Sequence, residues 1–233
     1  MPDAVTHDRF NEAVLAHLAV AMEAQDALSA AVNLAGPYQA DIAAATLTFG
    51  ETTLRVVLLG TVSKQGGTWR WSWANQGFPP DSPAIAPVHR IAELAQAWGL
   101  WELGQAEFWL HSIVDTGLGP GASIAVLACP LVGAVGFFQA DYGAGLAYFG
   151  IVDQQVPRPH PTIDALPGVI LRGDDRFPGM GRRQLLTYAS VHDLRITGSD
   201  RSLIVHLGPD AALQVDFDAN DRPIRFGSIP RPA

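Results

Sequence analysis

The period of the apolar pattern changes several times along the chain, and each change marks an element. Over residues 8–33, Phe10, Val14, His17, Ala21, Leu28 and Val32 recur at helical spacing. That spacing predicts one long helix, ended by Asn33 and Gly36-Pro37. Gln25 falls on the same stripe and Asp26 at its edge, so a polar Gln25 on an apolar face should meet a partner. The period then drops to two. Residues 45–49, 54–59 and 67–75 predict an antiparallel meander with turns at Gly50-Glu51 and Gly66-Gly67. In the third of these strands Trp69, Trp71 and Trp73 alternate with Thr68, Arg70, Ser72 and Ala74. A strand sends successive side chains to opposite faces, so the three indoles share one face. Such a row is either the floor of a core or a stacking platform for a ligand. The apolar stripe of the first helix offers a cover for it, which favours the core.

Helical spacing returns over 87–98, with Val88, Ile91, Leu94 and Trp98 on one stripe, Pro87 at the start and Gly99 just past the end. An aromatic piece at 107–111, a small-residue helix at 122–131 and a hairpin of 137–140 with 146–151 follow. Residues 116–140 carry no charge and are numerous enough to span a bilayer, but five glycines and two prolines interrupt them. A buried helix followed by a buried strand is the expectation. Pro157, Pro159, Pro161 and Pro167 then punctuate a linker-like stretch. Beyond it, 185–196, 202–207, 212–217 and 223–229 read as a β-meander. The pattern predicts an α+β fold. An antiparallel sheet is packed by a long N-terminal helix and shorter helices, and a small C-terminal β-meander follows. The expected division is an α+β domain over 1–153, a Pro-rich linker over 154–168 and a meander subdomain over 169–233.

Composition narrows the function classes. At 233 residues, with 48% apolar and 16% charged, the chain can build a sizeable core. The formal net charge is -8, and all of it lies in residues 1–158, which hold 14 Asp/Glu against 6 Lys/Arg. An acidic chain without a basic cluster argues against nucleic acid and against an anionic membrane surface as partners. Cys129 is the single cysteine, so no intrachain disulfide can form. Residues 1–8 lack the basic start and apolar run of a signal peptide. A cytoplasmic location is expected.

The tryptophan strand also carries a likeness. Leu59-Gly60-Thr61, Gly67-Thr68-Trp69 and Trp71-Ser72-Trp73-Ala74-Asn75 resemble the motifs of an uncharacterised bacterial family, a domain of unknown function. Met22-Glu23-Ala24-Gln25-Asp26, Thr46-Leu47-Thr48-Phe49-Gly50 and the segment from Tyr142 to Phe149 are similar pieces in the same order. Gln76 stands where a proline is more typical of the family. The resemblance covers about residues 10–153. It implies a compact α+β domain and no activity.

Candidate chemistry is sparse. Asn75, Gln25 and Asp26 could supply polar groups to a ligand pocket at the end of the Trp69, Trp71, Trp73 row; the plainer reading is a hydrogen-bond network joining helix to sheet. The turn from Asp115 to Ala122 is glycine-rich, but its spacing and Pro120 fit a tight turn better than a dinucleotide site. Asp216, Asp218, Asn220 and Asp221 are spaced like calcium ligands without the glycine and closing glutamate of an EF-hand, which favours a solvated hairpin turn. The histidines show no zinc spacing, and the serines no nucleophile elbow. Cys129 reads as a buried structural thiol. No cofactor and no metal are expected. The leading expectation is a non-enzymatic protein-binding protein in an immunity or accessory role. Its rivals are a hydrolase-type enzyme assembled from dispersed Asp and His residues, Asp26 and His192 among them, and a small-molecule binder using the tryptophan face.

Overall fold

The computed structural model describes residues 7–230. These residues form two compact units, one of the residues up to Val14 with Gln25–Arg158, the other of Leu15–Ala24 with the described residues from Pro159 on. Helix α1 (Asp8–Ala31) contributes to both, its middle belonging to the second. That division explains its broad apolar surface. Phe10, Val14 and Leu28 are buried, and so are Leu18 and Ala19, whereas His17 and Ala21 are only half-buried.

The first unit is built on a seven-stranded antiparallel sheet. Strands β1 (Tyr38–Asp41), β2 (Thr46–Phe49), β3 (Thr52–Ser63), β4 (Thr68–Trp71) and β5 (Glu107–Trp109) are neighbours in chain order. The hairpin of β6 (Phe137–Asp141) and β7 (Gly145–Ile151) joins through β7, which also pairs with β3. Strand β3 is the spine: its first residues pair with β2 and its later ones with β4 and β7. Residues Leu47, Phe49, Leu54, Val56, Leu58, Phe149 and Ile151 form one continuous core with Leu28 of α1. Helix α2 (His89–Trp98) ends on Gly99 in the left-handed region, φ 61°, as its sequence requires. The short α3 (Trp101–Gly104) follows. Helix α4 (Ala122–Leu131) is buried from Ala122 to Cys129. The uncharged stretch is therefore a buried helix and the strand β6. No helix of the described residues is long and apolar enough to cross a membrane.

The tryptophan strand is shorter than its alternation predicts. Trp69 and Trp71 share the inner face and are fully buried, with Arg70 exposed between them. Neither neighbouring strand pairs with β4 beyond Trp71, and the chain turns into a short 3-10 helix at Ser72–Ala74. Trp73 leaves the row and is half-buried.

The second unit joins helices α5 (Ala165–Arg176) and α6 (Gly181–Val191) to a four-stranded antiparallel meander. Its strands are β8 (Arg195–Ser199), β9 (Ser202–His206), β10 (Ala211–Phe217) and β11 (Pro223–Pro230), in the order β11-β10-β9-β8. Leu203, Val205, Leu213, Val215 and Phe217 face its core together with Leu166, Ile170, Leu185 and Tyr188. The meander matches expectation from β9 onward, but its first strand does not. Residues 185–191 are helical, because Leu185, Tyr188 and Ala189 are buried at helical spacing. Helix α5 begins inside the stretch expected as linker. Pro167 sits in its first turn, where the missing N–H costs nothing.

Candidate functional site

Strand β5 sets the site. Its three residues alternate: Glu107 exposed, Phe108 buried, Trp109 exposed. The Phe108 ring lies 6.5 Å from Phe10 and 6.3 Å from Trp101. With Phe108 taking the inner face, strand geometry forces Trp109 outward. In α3, Glu102 and Leu103 turn inward and Trp101 is left at the surface. Trp101 is 43% exposed and Trp109 58%. Both line a groove of about 520 Å³, together with His7, Glu107, Phe108 and His111.

The polar groups of the groove are held in place. His7 donates from Nδ1 to Glu102 Oε1 at 2.6 Å, and both residues are buried. A buried polar group is costly unless it is hydrogen-bonded, and this bond meets that condition for both residues. It fixes the imidazole beside the Trp101 ring, 5.9 Å away. Glu107 accepts from Arg70 Nε at 3.0 Å and from Thr68 Oγ1 at 2.7 Å. The Arg70 hydrogen bond first, and then that of Thr68, holds its carboxyl below the usual range. The His111 and Trp109 rings lie 6.4 Å apart. The buried row supports this wall directly: Trp71 Nε1 donates to the backbone carbonyl of Glu102 at 2.8 Å.

The six residues singled out from sequence lie elsewhere. Trp69 packs edge-on to Trp71, with centroids 5.3 Å apart, and contacts Tyr148 at the same distance. Gln25 clamps the backbone of Phe137: its Nε2 donates to the carbonyl at 3.1 Å, and its Oε1 accepts from the amide at 2.7 Å. That clamp joins helix α1 to strand β6. Asn75 Oδ1 accepts from the Gly77 amide at 3.0 Å and shapes the turn after the strand. Asp26 is exposed on α1. Beside Trp73, whose Nε1 is buried without a hydrogen-bond partner, Ser72 Oγ is in the same condition.

The remaining sequence candidates have structural duties. Asp115 Oδ1 accepts from the Gly117 amide at 2.7 Å within the glycine-rich turn. Asp218 Oδ1 accepts from the Asn220 and Arg222 amides, closing the hairpin between β10 and β11. Burial alone pushes the Cys129 thiol up. His192 Nε2 is 3.9 Å from Glu23 Oε2, too far for a hydrogen bond.

Residues 11–154 match the model of a family of unknown function, DUF6882. The chain belongs to that family. No curated protein and no solved structure matches it. The DUF6882 region contains Trp101, Glu107, Trp109 and His111 of the groove, whereas His7 precedes it. It also contains β1 to β7, while α5, α6 and the meander follow it. Sequence reasoning passed over the groove because it looked for aromatic residues in a row. The usable signal was Phe108-Trp109 in a short strand, since two adjacent aromatics cannot both face inward.

Proposed function

We propose that the chain is a non-enzymatic, cytoplasmic binding protein of the immunity or accessory kind. It recognises a protein partner through the groove between Trp101 and Trp109. The observation that carries this reading is the exposure of two indoles around a shaped groove whose polar groups are already fixed. Large aromatic side chains cost conformational entropy little and dominate binding hot spots, so an exposed pair beside fixed polar groups suits recognition. Acidity speaks against nucleic acid or an anionic membrane as the partner. A platform formed by Trp69 and Trp71 is less favoured, because both indoles are fully buried. The hydrolase reading built on Asp26 and His192 has less support, since Asp26 is exposed on α1 and His192 makes no hydrogen bond through Nε2.

The test is a paired affinity capture from native lysate. Wild type is expected to retain a stoichiometric protein, and the double variant Trp101→Ala/Trp109→Ala to lose it. The double variant should keep the wild-type circular dichroism spectrum and a cooperative unfolding transition, with the midpoint lowered only by the packing that Trp101 gives up against Phe108. Retention of the same protein by both forms, or recovery of none by either, would overturn the reading.

A further inference from the structure

We infer that the groove takes a cationic side chain, the guanidinium of an arginine or the ammonium of a lysine, from a basic segment of the protein partner. This rests on the reading of the groove as a partner site. The faces of Trp101 and Trp109 carry the negative lobe of the indole quadrupole, which attracts cations more strongly than the faces of phenylalanine or tyrosine do. Glu107 is matched by Arg70, so it contributes hydrogen-bond acceptors at the groove's edge and little net charge. Glu102 is buried beneath the groove and bonded to His7, so the charge that favours a cation comes from the wider surface of the unit.

That wider field is negative. The first unit holds 13 Asp/Glu against 6 Lys/Arg. Several of those cations are already engaged: Arg55 with Asp153, Lys64 with Asp141, Arg70 with Glu107, and Arg158 with the Gly133 carbonyl. A basic segment would be drawn to this unit by its acidic surplus and oriented by the groove. An acidic segment would be repelled. A neutral ring could stack on the indoles but would gain nothing from the charge.

The experiment uses the full chain labelled with nitrogen-15 in its tryptophan indoles, with signals assigned from single Trp→Phe variants. The probe is a capped pentapeptide containing two arginines, and the control is its twin with citrulline in place of arginine. The arginine peptide should shift the Trp101 and Trp109 indole signals and leave that of Trp98, which lines a different groove, in place. Citrulline keeps the shape and removes the charge, so affinity should fall by about three- to thirty-fold, and by a similar factor in Trp109→Ala. Equal response to the two peptides would overturn the inference, as would no response at saturating arginine peptide. A tighter response to free tetramethylammonium or to cellobiose than to the arginine peptide would overturn it as well. Partner capture that depends on Trp101 and Trp109 while the indoles ignore the arginine peptide would sink the inference and spare the partner reading. An arginine response with partner capture indifferent to both indoles would do the reverse.

Discussion

Gly60 shows how much one missing side chain decides. It pairs with Trp71 across β3 and β4, and a Cβ built on it would lie 2.5 Å from the Arg70 carbonyl and 2.6 Å from the Trp69 ring. The glycine of Leu59-Gly60-Thr61 is thus the bed on which the indole of Gly67-Thr68-Trp69 lies. The two motif fragments are one packing unit on adjacent strands. Gly60→Ala forces a well-packed site to open, and overpacking of this kind costs about 1–3 kcal/mol. Urea unfolding followed by tryptophan fluorescence should show that loss as a lower midpoint with an unchanged slope. The motif was legible in the sequence. The reason for its glycine was not, because the ring lies across a pairing that no local pattern reports. The same holds for Glu102, a charged residue in a short polar-looking segment whose burial depends on His7, 95 positions away.

At the scale of elements, periodicity identified α1, α2, the β2–β4 meander and the β6–β7 hairpin, and the run of small apolar residues identified α4, which is buried from Ala122 to Cys129. Periodicity failed where the environment was mixed. Helix α5 carries Pro167, Gly168 and Gly173, and these suggested a linker. Gly173 belongs in the helix because the Gln184 amide fills the space a Cβ would need, 2.0 Å away. Helix α6 is short, and Thr187 and Val191 lend it a strand-like composition, yet Leu185, Tyr188 and Ala189 set a helical face. Its end carries a testable pH response. His192 stacks on Tyr188 at 4.4 Å and faces Glu23 and His160. Burial first, and then the His160 charge, lowers its pKa below the ordinary 6.5. The unfolded chain therefore binds this proton more readily than the folded one. The stabilising contribution is complete above about pH 6.5 and declines as pH falls through the window below it. Thermal unfolding monitored by circular dichroism between pH 7.5 and 5.5 should show a falling midpoint for wild type. His192→Gln should flatten that fall, and an unchanged slope in the variant would remove His192 as its source.

For the whole molecule, the six tryptophans divide their labour. Trp69 and Trp71 are fully buried in the first unit, Trp73 is half-buried in the 3-10 turn after β4, and Trp98, Trp101 and Trp109 remain at the surface. The alternating row that dominates the sequence is structural, and the recognition surface comes from less conspicuous residues that it supports through the Trp71 hydrogen bond to Glu102. The acidic surplus visible in the sequence belongs to the unit that carries the groove. Charge was legible at this scale because it needs only addition. The groove was not, because it assembles from the start of α1, from α3 and from β5. The most direct measurement of this division is oxidative footprinting read by mass spectrometry, on the free chain and on the chain bound to its captured partner. Trp98, Trp101 and Trp109 should be modified in the free chain and Trp69 and Trp71 spared, and the partner should protect Trp101 and Trp109 alone. Modification of Trp69 and Trp71 at the same rate, or Trp101 and Trp109 staying reactive in the complex, would contradict the account.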